Sequence, residues 1–201
     1  LMRRTMICAA LLMAPAALTA QQDAGTHLTL ELGLARFHGG IRDTSAPPVY
    51  IRPFRPTLVT LRLTGPRFGV ALTIAGAATG YSQGSVSLLQ GGDLSLLELA
   101  PEFRHPVART SGGGRLLLHA GPLLDLWRQN GGGTVARIGG HAGATLELPV
   151  SGRLGVSVRA DAAATGSQLK DTALAADLSQ HTLWRTRLGV GAMYRLGRGD
   201  G

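Results

Sequence analysis

Apolar and polar residues alternate with a period of two through eight successive segments of the chain. The connections between these segments alternate between short and long, and no apolar run in residues 21–201 is long enough for a membrane-spanning helix. These three observations predict an all-β fold, a closed antiparallel eight-stranded up-and-down transmembrane β-barrel. With an N-terminal leader removed, the 201-residue chain suits a single domain of this kind.

The leader is expected over residues 1–20. Arg3 and Arg4 supply a charged start, Met6 to Ala17 an apolar stretch, and Leu18-Thr19-Ala20 a cleavage site before Gln21. The apolar stretch is too short to cross a bilayer, so it reads as a secretory signal peptide, with a buried N-terminal helix as the alternative. Residues 21–201 are then the barrel domain. Cys8, the single cysteine, departs with the signal, so no disulfide, thiolate metal site or cysteine nucleophile is expected.

The strands are predicted near 26–38, 55–64, 67–80, 94–108, 113–128, 134–149, 153–166 and 181–196. In the first, Leu28, Leu30, Leu32 and Leu34 share one face, and Thr29, Glu31 and Gly33 the other. In the second, Val59, Leu61 and Leu63 oppose Thr60 and Arg62; in the fourth, Leu97, Leu99 and Phe103 oppose Glu98, Glu102 and Arg104. The fifth, "LLLHAGPLLDLW", looks uniformly apolar, yet Leu116, Leu118, Leu124 and Leu126 share one parity and His119 and Asp125 the other. Leu123 and Trp127 also fall on the parity of His119. The sixth sets Ile138, Ala142, Ala144, Leu146 and Leu148 against Arg137, His141, Thr145 and Glu147. In the seventh, Leu154, Val156 and Val158 oppose Ser157, Arg159 and Asp161. In the eighth, Leu188, Val190, Ala192, Tyr194 and Leu196 oppose Arg185, Arg187, Gly189 and Gly191.

Short connections fall at Gly65-Pro66, 109–114 and 149–153. Longer ones fall at 39–53, 80–93, 129–133 and 167–180. Short turns at one end and longer loops at the other is the transmembrane layout, and an even strand count puts both termini at the short-turn, periplasmic side. Parity alone does not say which face is inside. A lipocalin-like secreted soluble barrel would alternate in the same way with its apolar face inward. Two features favour apolar-out: small residues crowd the polar face, as a narrow lumen requires, and its charges nearly balance. Glu31, Glu98, Glu102, Asp125, Glu147 and Asp161 stand against Arg62, Arg104, Arg137, Arg159, Arg185 and Arg187, and all four glutamates of the chain are among them. Unpaired charge in a low-dielectric lumen is costly, whereas a solvated face needs no balance. The export signal points the same way. Phe68, Phe103 and Tyr194 near short turns, and Trp184 near a loop, would form aromatic girdles on the lipid face.

The charged residues suggest few other functions. Loss of Arg3 and Arg4 lowers the formal net charge from +8 to about +6. The arginines are scattered singly through apolar stretches without a basic block, which argues against a nucleic-acid partner. No cofactor is expected, because "SGGGR" and "NGGGT" lack the helix and the Lys-Ser/Thr of a phosphate loop and read as hairpin turns. His27, His38, His105, His119, His141 and His181 show no local Ser/His/acid arrangement for acyl transfer, so no enzyme activity and no catalytic residue are expected. His119 and His141 lie on adjacent strands, both inward, with no third ligand evident; no metal site is expected, and carboxylate partners for the two rings are. Across the fifth and sixth strands, a register pairing Asp125 with Arg137 and Arg115 with Glu147 matches opposite charges. The same reasoning places Asp161 opposite Arg185.

The short-turn/long-loop alternation over 26–196 and the closing strand "RTRLGVGAMYRL" resemble the small eight-stranded outer-membrane barrels of the OmpA/OmpX type. The final strand resembles that family's assembly signal, but "GRGDG" follows it where the family pattern stops at a terminal aromatic. The resemblance implies residence in the cell outer membrane, contact with outer-membrane lipid and lipopolysaccharide, insertion by the barrel-assembly machinery, and a monomer. It carries no catalytic motif, and function varies within such folds. The expected function is a plugged, charge-paired barrel with a structural or surface-interaction role. The alternatives are a narrow channel, a small-ligand-binding barrel, and the lipocalin-like form. The candidate site is the lumenal charge network: Glu31, Arg62, Glu98, Glu102, Arg104, His119, Asp125, Arg137, His141, Glu147, Arg159, Asp161, Arg185 and Arg187.

Overall fold

Eight antiparallel strands close on themselves in chain order, each hydrogen-bonded to its sequence neighbours, and the first is bonded to the last. The computed structural model describes residues 25–83, 86–129, 133–168 and 178–196. The expected signal peptide, the trailing "GRGDG" and most of the connections at 129–133 and 167–180 lie outside these residues. The strands are β1 (Thr26–Asp43), β2 (Val49–Thr64), β3 (Phe68–Gln83), β4 (Val86–Arg109), β5 (Arg115–Gln129), β6 (Thr134–Ser151), β7 (Leu154–Thr165) and β8 (Leu178–Leu196). Closure brings Thr26 opposite Leu196, so the first and last strands meet at the short-turn end. A closed ring leaves no sheet edge to be covered.

The short turns form where glycine and proline interrupt alternation. Gly65 N–H donates to the Phe68 carbonyl (2.7 Å), and Thr110 N–H to that of Gly114 (2.8 Å). Gly113 and Gly152 have φ of 81° and 33°, in the left-handed region open to glycine. At the other end the strands run further than the sequence predicts. The segments read as loops at 39–53 and 80–93 are largely ladder, with Ile41 opposite Ile51 and Tyr50 opposite Ser82. For 39–53 the reason is a pair of bulges. Gly39 and Gly40 take φ of 75° and 97°, and the register of β1 shifts there against both neighbours. A second shift lies between Phe54 and Thr57 of β2. It moves inward parity from the even positions of Leu58–Thr64 to Ile51 and Pro53, which are buried. Each bulge breaks the period-two signal while pairing continues.

The apolar parity faces outward. Leu30, Leu32 and Leu34 of β1, Leu61 of β2, Ile74 of β3 and Leu188 of β8 are all exposed, Leu32 by 64% and Ile138 of β6 by 81%. Phe68, 68% exposed, packs edge-on against Phe103 of the paired strand, with ring centroids 5.5 Å apart. Tyr194 and Trp184 are also exposed on this outer surface. Inside, Phe37, Leu58, Ala75, Leu96, Trp127, Val135 and Leu183 form a buried apolar layer. Trp127 and Val135 flank the β5–β6 connection, so this layer sits toward the long-connection end of the lumen. Trp127 stacks edge-on with Phe37 at 5.7 Å. The polar interior lies between this layer and the short turns.

Candidate functional site

One ion-pair network runs through the polar half of the lumen. Glu102 of β4 is its hub: its Oε2 accepts from Arg159 Nη2 of β7 (2.7 Å) and Arg62 Nη1 of β2 (3.3 Å), and Arg104 Nε lies 3.6 Å from its Oε1. Arg62 continues to Glu31 of β1 (3.1 Å). Arg104 pairs with Glu147 of β6, which also accepts from Arg115 of β5 (2.7 Å). Arg159 turns its Nε to Asp161 (3.0 Å), Asp161 accepts from Arg187 of β8 (2.8 Å), and Arg187 reaches Glu98 (3.4 Å), which Arg185 also pairs. Every strand except β3 therefore contributes a charge. β3 contributes Thr73, whose hydroxyl donates to Glu98 (3.1 Å) and meets Thr60 (2.9 Å).

Alternation produces this arrangement directly. Each of these side chains occupies an inward position of a strand whose outward positions are mainly Leu, Val, Ala or Phe, so burial of the charges follows from the pleat. Each cation and anion in turn meets a partner, which is the condition for burying it.

Of the fourteen predicted positions, all but Arg137 are buried, and Arg137 is half-buried. Twelve of them lie in or against the network: Glu31, Arg62, Glu98, Glu102, Arg104, Glu147, Arg159, Asp161, Arg185 and Arg187 by ion pair, and His119 and His141 by their approach to Glu102. The predicted β5–β6 register is the observed one, with Asp125 opposite Arg137 and Arg115 opposite Glu147. Of these two pairs, Arg115–Glu147 closes into an ion pair at 2.7 Å. Arg137 Nε donates to the Ser167 carbonyl (2.7 Å), in a connection that the sequence argument does not reach. Asp125 stands opposite Glu98 in the β4–β5 ladder, and its Oδ1 has no hydrogen-bond partner. Asp161 is opposite Arg187, two residues from the Arg185 expected. The length of a connection does not set register when the connection is long, and the expectation has nothing else to fix it.

His119 and His141 do not take carboxylate hydrogen bonds. Their rings lie 5.9 Å apart; His119 Nδ1 contacts the Thr145 hydroxyl (3.3 Å) and His141 Nε2 the Pro101 carbonyl (3.4 Å). A third group evident only in three dimensions joins them, Glu102. The parts played by Thr60, Thr73 and Thr145 are likewise beyond the sequence reading. Inward threonines are common in any narrow barrel and carry no signal of their own.

A cavity of about 290 Å³ opens at the short-turn mouth, lined by His27, Arg109, Arg115, Glu147, Arg153 and Arg195 among others. Met193 and Glu147 line both this cavity and a much smaller one beside Arg62 and Arg159, so Glu147 joins the mouth to the network.

No family model matches the chain, and no curated protein matches it. Solved structures do. Neisserial surface protein A is 12% identical, the match covers 87% of this chain and all of that one, and the TM-score is 0.55. The N-terminal β-barrel domain of Pseudomonas aeruginosa OprF (13% identity, 86% and 100% coverage) gives a TM-score of 0.42. A major outer membrane protein of Thermus thermophilus (11%, 85% and 99%) gives 0.46. At these identities the likeness is one of fold, and that to the neisserial protein agrees with the closed order β1 to β8 and the outward apolar surface. The chain has the fold of the small eight-stranded outer-membrane β-barrels.

Proposed function

We propose that the chain resides in the cell outer membrane as a monomeric barrel with a plugged, charge-paired lumen, and that its role is structural and surface-presenting, without catalysis. One observation carries this reading: leucines, valines and phenylalanines clothe the outside while the ionised residues pair within. In water that outer surface would be an apolar patch far larger than monomers tolerate, whereas in a bilayer it is the required band. Its natural contacts are lipid and lipopolysaccharide, and insertion would require the barrel-assembly machinery. Both termini would lie in the periplasm, with the long connections outward.

The apolar layer around Trp127 and the ion-pair network both occupy the interior, which supports a plug, because an eight-stranded barrel leaves little more room than side chains need. Two experiments test the reading. A tag inserted at Ser45, in the β1–β2 connection, should be labelled on intact cells, and one at Gly65-Pro66 should not. Purified protein in planar bilayers should pass little or no current; large, steady single-channel currents would replace the plugged barrel with a narrow channel. A small-ligand-binding barrel is the second reading, favoured by the basic lining of the mouth cavity, and it would show as saturable anion binding abolished by Arg195→Gln.

A further inference from the structure

Glu102, His119 and His141 converge on one point of the lumen, where a ligand atom from each lies within 4.8 Å of the others. Three adjacent strands build the point. Gly121 of β5 is opposite His141 of β6, and a Cβ on Gly121 would lie 3.0 Å from the Glu102 Cα of β4 and run into the Pro101 carbonyl. A glycine in the middle of this row lets β4 approach and leaves the space above it free of side chain. His119, two residues before Gly121 on the same face, closes the group.

Two buried ring nitrogens of this group have no hydrogen-bond partner, His119 Nε2 and His141 Nδ1. Both residues are more than nine-tenths buried. The partner of the opposite nitrogen sets the tautomer of His141. A carbonyl only accepts, so His141 Nε2 carries the proton toward Pro101, and Nδ1 presents a lone pair. The Thr145 hydroxyl contacts His119 Nδ1 and accepts from it in the tautomer that a bound ion selects, in which His119 Nε2 is a second lone pair. Unpaired buried acceptors are costly, and two in one cluster beside a carboxylate are relieved together by an electrophile bound among them. An imidazole whose far nitrogen is tied to a carbonyl or hydroxyl is the usual form of a metal-binding histidine. The carboxylate also has capacity. Its Oε2 holds the short bond to Arg159, while Oε1 has only long contacts, to Arg159 Nη1 (3.4 Å) and Arg104 Nε (3.6 Å).

We propose that His119, His141 and Glu102 bind a divalent first-row transition ion of the zinc type, with water completing the shell. Zn–N bonds of about 2.0–2.1 Å put tetrahedral ligands roughly 3.3 Å apart, so the group closes by up to about 1.5 Å on binding. The guanidiniums of Arg62, Arg104 and Arg159 around Glu102 oppose any cation held by charge alone. They thereby exclude calcium and magnesium, which bind through oxygen, and leave an ion that gains most from imidazole.

The test uses the mature barrel folded in detergent micelles, stripped with chelator and refolded with Co²⁺ present so that access through the lumen is not limiting. Folding of each sample is read by heat-dependent gel mobility. The expected result is a tetrahedral visible absorption band from one bound Co²⁺, displaced by Zn²⁺ and not by Mg²⁺. His119→Ala and His141→Ala should each weaken binding at least tenfold, and His105→Ala, on the outer face, should not. Folded wild-type protein that yields no visible band and retains no zinc overturns the proposal. So does zinc retained equally by folded His119→Ala and His141→Ala. Should either variant fail to fold, the wild-type Co²⁺ spectrum and its displacement by Zn²⁺ decide alone.

Discussion

Replacing Arg159 with methionine asks whether the lumenal ions act as one network or as separate pairs. Its guanidinium is buried between two carboxylates, 2.7 Å from Glu102 Oε2 and 3.0 Å from Asp161 Oδ2, and it also donates to Thr145 Oγ1 at 3.4 Å. Removing one member of a buried ion pair costs about 3–5 kcal/mol, chiefly because the other is left uncompensated. Here Glu102 would keep Arg62 and Arg104, and Asp161 would keep Arg187, so the lower end, about 3 kcal/mol, is expected. Glu102→Gln should cost a similar amount by stranding guanidiniums instead. In the double variant the Arg159–Glu102 penalty is counted only once, giving about 4 kcal/mol in total and a coupling of about 2 kcal/mol, within the range for contacting residues. Urea titration of the refolded barrel in lipid vesicles, followed by fluorescence of Trp127 and Trp184, measures all three. Single effects that add to within about 0.5 kcal/mol would refute the network.

Three further outcomes rest on the same geometry. Asp125→Asn should cost less than about 1 kcal/mol in the same titration, because Asp125 stands beside Glu98 with one oxygen unbonded, whereas Glu98→Gln should cost about 3 kcal/mol by stranding Arg185, while Arg187 keeps Asp161. Trp127→Ala should lower stability by about 3–5 kcal/mol through loss of the apolar layer, without opening a conducting path, since the ion pairs below it remain; bilayer recording checks the second part. Leu32→Arg, on the middle of the outer face, should cost about 2–4 kcal/mol in vesicles and leave an assembly-defective protein in cells, whereas a water-soluble barrel would tolerate it.

Alternation is legible because burial in a barrel obeys a strict two-residue period. Leu28 to Leu34 against Thr29, Glu31 and Gly33 needs no more than that, and the β5–β6 connection, together with charge matching, even yields the register of Arg115 against Glu147. Where the period fails, so does the reading. Gly39-Gly40 and the bulge after Phe54 shift parity without ending the strands, so β1 and β2 read shorter in sequence than they are. Asp161 matches the wrong arginine because a long connection leaves the β7–β8 offset undetermined. The approach of Glu102 to the two histidines is out of reach for a different reason. It depends on a row across three strands with Gly121 at its centre, and a row is a property of two registers at once. Arg137 turns to a backbone carbonyl of a connection, and no pattern of side-chain charges can anticipate that.

The seam between β1 and β8 has a consequence for how the molecule comes into being. Its ladder runs from Thr26 opposite Leu196 to Asp43 opposite Leu178, joining the first strand to the last. Hairpins such as β5–β6 can zip locally as soon as both strands exist, but this contact has nearly the greatest sequence separation the barrel allows. Closure must therefore await the final strand, and the rate should be governed by that one long-range event rather than by the seven local ones. Until it happens, two raw edges lie open to other chains, and the pairs that cross the lumen from Arg185 and Arg187 of β8 to Glu98 of β4 are not held in place. A chain shortened by its last strand would thus be left as an open, self-associating sheet, not as a smaller barrel.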